Sequence, residues 1–324
     1  MVPHAKTPST LGQPLASSLL VGEGASHPIV LSFDVEEHDR IEAAAGLPFS
    51  PEMRRVYAGR MERTTRELLD VLAAGRVPAT FYVVGEIAKS HPALVRDIAA
   101  AGHEVGSHGW DHQRVHRFAP ETFAEDLRTS VDALEQAAGT AVVGYRAPTF
   151  SVMRQTAWAA DVLADSGLRY DSSVFPVRHD RYGVPDAPRT PFVLEGEHGS
   201  ILELPPATWR VLGQNLPVAG GGYFRLFPLA AMTAGVRQLG PNPAVLYFHP
   251  WEFDPGQPRL PLKPLAKWRT YVGVGRTLGR LKSLIAGHRG RFCRAVDVVD
   301  ALEPRREGLP RFRLSRTAEP ARVG

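Results

Sequence analysis

Residues 79–112 read ATFYVVGEIAKSHPALVRDIAAAGHEVGSHGWDH, and this stretch decides the fold. Ala79 to Val84 is short, apolar and rich in β-branched and aromatic residues, the pattern of a buried strand. His91-Pro92 opens a helix with proline in its first turn. Leu94, Val95 and Ile98 share one face of that helix, and Gly102 stops it. Glu104 to Ser107 is a second short strand. Strand, helix and strand in roughly 30 residues make a parallel unit.

The alternation continues on both sides. Upstream, Ile29 to Phe33 is an apolar strand. Arg60 to Ala74 is a helix carrying Leu68, Leu69 and Leu72 inward, with Gly75 at its stop. Downstream, Pro120 to Ala138 is helical, with Phe123, Leu127, Val131 and Leu134 on one stripe. Val142 to Tyr145 and Leu168 to Ser172 read as strands around a helix at Gln155 to Ser166. Residues 173–200 are rich in Pro, Arg and His and read as loop, followed by strands at Ile201 to Leu204 and Ala244 to Phe248. Strands and helices in this order predict a parallel α/β fold.

The chain has 324 residues, enough for one large domain or two small ones and for a core that needs no staples. Lys+Arg minus Asp+Glu is 38 − 34 = +4, too dilute a positive charge to indicate a nucleic-acid partner. The only cysteine, Cys293, excludes an intramolecular disulfide framework and any cysteine-rich zinc site. No apolar run approaches the roughly 18 residues of a membrane span. Residues 1–27 lack the clustered charge and long apolar core of a secretory signal, so they read as a disordered leader on a cytoplasmic protein.

In parallel α/β folds the chemistry gathers at the carboxyl ends of the strands. The polar clusters respect that register. Asp34 to Asp39 follows the first strand, His108 to His116 the third, and Arg146 the fourth; Asp171, Glu203 and His249 end later ones. His108 and His112 stand at i and i+4, a spacing that puts both on one face of a helical turn, within reach of one cation. With 12 histidines in the chain, such a pair also arises by chance, so its place after a strand carries the weight. The four acids of FDVEEHD would repel one another without a cation. Two histidines and one carboxylate leave a metal position open for water, and a second carboxylate can take the water's proton. Asp34 and Glu36 alternate on a strand and so face the same rim. Arg146 would hold the base carboxylate in place, and His249 would protonate a leaving amine.

The series FDVEEHD, ATFYVVG, GHEVGSHGWDH, GYRAPTFS, YDSSVFP, ELPP and YFHPWEFDP resembles the polysaccharide deacetylases, carbohydrate esterase family 4 of the NodB-homology type, from about Ile29 to His249. GGGYFRLFP, HPWEFDPGQPR and the segment to Leu302 are similar to a subfamily found with exosortase (PEP-CTERM) exopolysaccharide loci, which carries a C-terminal extension of unknown role. The resemblance implies a distorted, incomplete (β/α) barrel. It divides the chain into a leader at 1–27, a catalytic domain at 28–255, an extension packed on the barrel at 256–304 and a disordered tail at 305–324.

It further implies a metal-dependent hydrolase that removes N-acetyl groups from a sugar of a bacterial exopolysaccharide or its precursor, releasing acetate. By motif, Asp34 matches the general base, His108 and His112 the ligands of one divalent ion, zinc, Arg146 the base-orienting arginine and His249 the general acid. Thr149 would offer a backbone N–H to the oxyanion. Trp110, Tyr223, Phe224 and Trp251 would stack on sugar faces, although aromatic residues serve core packing equally well. The protein would have no integral membrane segment and would work peripherally to membrane-bound polysaccharide machinery.

One departure stands out. Val35 replaces the family's second aspartate, so the metal carboxylate is Glu36, the favoured reading, or Asp34 itself. Some relatives lacking that aspartate hydrolyse ring amides without metal, so an allantoinase-like amidohydrolase is one alternative. The intact His108/His112 pair argues against it. A non-catalytic glycan-binding protein is another, opposed by Asp34, Arg146 and His249 together.

Overall fold

All seven residues of β1 (Ile29–Val35) are buried, because this strand lies between β10 and β2 and is covered on both faces. The computed structural model describes residues 27–315. After β1 come α1 (Pro51–Gly75), β2 (Thr80–Val83), α2 (Gly85–Ser90), α3 (Pro92–Ala100), β3 (Glu104–Ser107), α4 (Pro120–Ala138), β4 (Gly144–Tyr145), α5 (Ala159–Asp165) and β5 (Tyr170–Asp171). Two hairpins follow, β6 (Phe192–Glu195) with β7 (Ser200–Glu203) and β8 (Thr208–Val211) with β9 (Gln214–Pro217). The rest is α6 (Gly221–Leu226), α7 (Leu229–Gln238), β10 (Ala244–Phe248), α8 (Pro264–Tyr271), α9 (Val274–Gly287), β11 (Phe292–Cys293), α10 (Ala295–Leu302) and β12 (Arg311–Arg313).

The main sheet runs β10-β1-β2-β3-β4-β5-β7-β6-β12, with β11 beside the start of β1. Every pairing in it is parallel except β6 with β7. Two isolated bridges, Pro206 to Val245 and Gly220 to Tyr247, join the chain after β7 to β10 in place of a full ladder. The curled, incomplete (β/α) architecture expected from the sequence is therefore present. No described helix is long and apolar enough to cross a membrane.

Some boundaries differ from the sequence reading. α1 begins at Pro51, nine residues before the expected Arg60, with the Ser50 hydroxyl accepting from the Met53 N–H as N-cap. Its first turns are exposed, Met53 and Val56 included, so no buried apolar stripe marks them. β6, β8, β9, β11 and β12 are additional to the strands that the sequence pattern shows. The disordered tail expected from 305 is corrected in part. Residues 303–308 form a 3-10 turn, and β12 pairs with β6, with Phe312 packed edge-on to Phe192 and Leu314 buried. These contacts anchor a segment whose arginine-rich composition suggested none. Residues 1–26 of the expected leader and 316–324 of the tail lie outside the described residues.

The C-terminal extension shares the core of the sheet. Cys293 of β11 and Val298 and Val299 of α10 pack in one cluster with Val30, Tyr82 and Val245.

Candidate active site

Parallel register brings the carboxyl ends of β1, β2, β3, β4 and β10 to one edge. Phe33 pairs with Phe248, Val35 with Val83, Val83 with Ser107 and Ser107 with Tyr145. The residues just beyond or near these ends, Asp34, Glu36, His108, His112 and His249, line one cavity of about 480 Å³.

Glu36, His108 and His112 each turn one donor atom into a group whose members lie within 4.8 Å of one another. The His108 Nδ1–H donates to the Arg146 carbonyl at 2.7 Å in the tautomer that leaves the Nε2 lone pair toward the group. Glu36 Oε2 is buried and makes no well-aligned hydrogen bond, although His112 Nε2 stands 2.5 Å away. A carboxylate oxygen and an imidazole nitrogen that converge in this way are arranged as metal ligands are. The donor set suits a divalent ion such as zinc, and Asp34 is not part of it. Burial alone would raise the Glu36 carboxyl, but His112, with His249 and His108, holds it well below the ordinary range. Burial lowers His108 to about 4, so its imidazole is neutral, as ligation requires.

The segment joining the two histidines is not the helical turn that their spacing suggested. Gly109 at φ +74° and His112 at φ +67° bend it into an irregular loop that folds His112 back toward His108. Of the five described non-glycine residues with positive φ, three line the cavity: His112, Thr149 and Phe150. Strained backbone of this kind concentrates at functional sites.

Asp34 is held by Arg146, which is fully buried. Arg146 Nη1 donates to Asp34 Oδ1 at 2.7 Å and to the Ser32 hydroxyl at 2.8 Å. The rest of the guanidinium donates to the carbonyl and hydroxyl of Ser172, and its plane lies 4.1 Å over the Tyr82 ring. Asp34 Oδ2 faces the cavity, 3.9 Å from His249 Nε2. The other two acids of the FDVEEHD segment are paired elsewhere, Glu37 with Arg40 and Asp39 with Arg54.

His249 has a partner that sequence reading missed. Its Nδ1 lies 2.8 Å from Glu252 Oε1, and the same oxygen accepts the His249 N–H at 3.1 Å. Arg225 Nε stands 3.1 Å from Glu252 Oε2. Burial opposes charge on His249, yet the Glu252 hydrogen bond and the nearby Glu36 and Asp34 carboxylates raise it to about 9. Arg225 also donates to the carbonyls of Thr270 and Val272, so the extension is tied to this histidine. The i, i+3 spacing of His249 and Glu252 was visible in HPWE, but Arg225 lies 24 residues upstream and only the fold brings it there.

Asp171 and Glu203 form a buried pair under Arg146. They are register partners on β5 and β7, and Asp171 Oδ2 and Glu203 Oε2 are the oxygens left without other partners. Burial raises both carboxyls, Asp171 to about 6 and Glu203 well above its ordinary range, where the neighbouring Asp171 also pushes it up.

Thr149, Tyr223 and Trp251 line the cavity as expected from the sequence. Trp110 does not, and that assignment is corrected. Its N–H is bonded to Asp126 and its carbonyl to Glu86, which turns the ring into a separate surface cleft between α2 and α4, beside Lys89. Phe224 is core, packed on Phe248. A wall that the sequence reading passed over as loop is built by His179 stacked on Tyr182, which stacks in turn on Phe175.

Residues 51–170 match the family described as Polysaccharide deacetylase, and residues 172–300 match a domain of unknown function, DUF3473. Within residues 51–170 the chain is similar to polysaccharide deacetylases. Asp34 and Glu36 precede both matched regions, and His249 lies in the second, so the cavity is assembled from three parts of the chain. A chitooligosaccharide deacetylase of Rhizobium leguminosarum bv. trifolii is 39% identical over 108 residues, 32% of this chain and 47% of that protein. A peptidoglycan deacetylase of Helicobacter pylori is 29% identical over 121 residues, 37% of this chain and 40% of that protein. The matched stretch spans less than half the length of these relatives. Among solved structures, one from Mycobacterium smegmatis described as a polysaccharide deacetylase superposes with a TM-score of 0.60 at 22% identity, covering 90% of this chain and 98% of that one. The PuuE allantoinase gives 0.58 at 16%, covering 85% and 90%. Both likenesses are of fold.

Proposed function

We propose that the protein removes the acetyl group from an N-acetylated sugar of a bacterial exopolysaccharide or its precursor, with Glu36, His108 and His112 holding one zinc ion. The observation that carries this reading is the convergence of those three donor sets within 4.8 Å beside Asp34 and His249. The similarity to deacetylases of chitooligosaccharide and peptidoglycan supports the substrate class.

Zinc held there would supply a Lewis acid for the acetyl carbonyl and for the attacking water. Asp34, fixed through Oδ1 by Arg146, presents Oδ2 to accept the proton of that water. The Thr149 backbone, at φ +55°, faces the cavity where the oxyanion develops. His249, oriented by Glu252, gives its Nε2 proton to the sugar nitrogen as the C–N bond breaks. Acetate and a free amine leave. Tyr223 and Trp251 flank the sugar. In keeping with the sequence reading, we place the protein in the cytoplasm, working peripherally to membrane-bound polysaccharide machinery.

Acetate release from N-acetylated oligosaccharides, measured on zinc-loaded and chelator-treated protein, tests the proposal. Turnover that chelation abolishes and zinc restores is expected. Equal turnover with and without metal, on a cyclic ureide, would favour the allantoinase-like reading instead.

A further inference from the structure

The charges lining the cavity do not balance locally. Three acids in its wall have an arginine beside them, and two have a histidine. Asp34 pairs with Arg146, Glu42 with Arg114 and Glu252 with Arg225, while Glu36 meets the His112 ring and Asp180 the His179 ring, which burial shifts toward its neutral form. Arg181, Lys263 and Arg269 line the same cavity from its exposed side, and among the described residues none of them has a carboxylate within 4.0 Å. Asp180 offsets at most one of these three charges, so the mouth keeps an excess of positive charge to which a neutral N-acetyl sugar gives no partner. A single uronate carboxylate would satisfy one cation. A phosphate or diphosphate group, with its several oxygens, matches three.

The second observation concerns α8, which carries Arg269 and follows directly on Lys263. Leu265 is 61% and Trp268 54% exposed. Leu265, Trp268 and Arg269 fall at i, i+3 and i+4 and so share one helix face, and Leu265 itself lines the cavity. Apolar surface thus begins where the cations end.

We propose that the cavity mouth formed by Arg181, Lys263 and Arg269 binds the phosphate or diphosphate group of a phosphate-linked N-acetylated sugar. This rests on the deacetylase reading and names its substrate class. The extension then has a function: α8 and the residue before it supply two of the three cations. Nucleotide-linked and lipid-linked sugars share this chemistry, and the Leu265–Trp268 face is suited to the apolar chain of the second.

The test measures binding by calorimetry to the full chain carrying Asp34→Asn, so that turnover does not interfere. The probes are neutral tri-N-acetylchitotriose, UDP-N-acetylglucosamine, N-acetylglucosamine diphosphoryl polyprenol in detergent, and a uronate-bearing hyaluronan fragment. At least one phosphorylated probe is expected to bind about tenfold or more tighter than chitotriose. That preference should shrink with added salt and vanish in Lys263→Gln/Arg269→Gln. Whichever phosphorylated probe binds tighter identifies the source of the phosphate. Equal binding of neutral and phosphorylated sugars, or tightest binding of the uronate fragment, would overturn the inference. Acetate release by the unmodified chain is read separately. If no probe yields acetate, the deacetylase reading fails, while the calorimetry still decides whether the mouth binds phosphate.

Discussion

Glu252 Oε1 lies 2.8 Å from His249 Nδ1, and Arg225 Nε lies 3.1 Å from the other oxygen of the same carboxylate. The three side chains form a line running from the buried base of α6 to the cavity. Glu252 fixes the ring orientation that turns Nε2 toward the reacting nitrogen. Arg225 fixes Glu252.

The first prediction follows from this line. Glu252→Gln should lower turnover of an N-acetyl amide roughly 10- to 100-fold while affecting an activated acetyl ester much less, because an ester leaving group needs no proton. His249→Ala should do the same more severely, with bound metal unchanged. Equal losses on amide and ester would mean that His249 only shapes the cavity.

The metal assignment is checked by composition rather than activity. Protein purified without added metal and analysed for its elements should carry about one zinc per chain, and His108→Ala/His112→Ala should carry none. Unchanged metal content in the double variant would remove these histidines from the ligand set.

The two first-strand carboxylates should separate by phenotype. Asp34→Asn keeps an oxygen for Arg146 and lies outside the donor group, so it should retain zinc and lose turnover by roughly 10²- to 10⁴-fold. Glu36→Gln should lose zinc affinity first. A reversed outcome would exchange the roles of the two acids.

The Asp171–Glu203 pair predicts a pH dependence of stability. Asp171 is raised from 3.8 to about 6 by burial, and Glu203 is raised well above its ordinary value by burial and by Asp171. Both shifts are upward, so the folded chain holds a proton that the unfolded chain releases. The pair's contribution is therefore full below the ordinary carboxyl range and declines as pH rises through about 6. Glu203→Gln replaces the shared proton with an amide hydrogen. The melting temperature of the parent relative to this variant should fall between mildly acidic and neutral pH. Parallel curves for the two proteins would show that the carboxyls do not share a proton.

What the linear chain determined on its own is the part set by local pattern. Apolar runs at Ile29 to Phe33, Ala79 to Val84 and Ala244 to Phe248 read as strands because they are short and rich in β-branched and aromatic residues, and the helices between them show their stripes. A parallel fold then puts chemistry at the strand ends, which made Asp34, Glu36, His108, Arg146 and His249 legible as one rim. Tertiary structure decided the rest. The loop at 108–112 closes on His112 through positive backbone angles that spacing alone does not reveal. Trp110 turns away from the cavity because its backbone bonds to α2 and to Asp126 on α4 fix its direction. Arg225, Lys263 and Arg269 reach the site across long stretches of sequence. Side-chain pairing between segments far apart in the chain depends on how the sheet curls and where the extension docks, and neither leaves a periodic trace in the residues concerned.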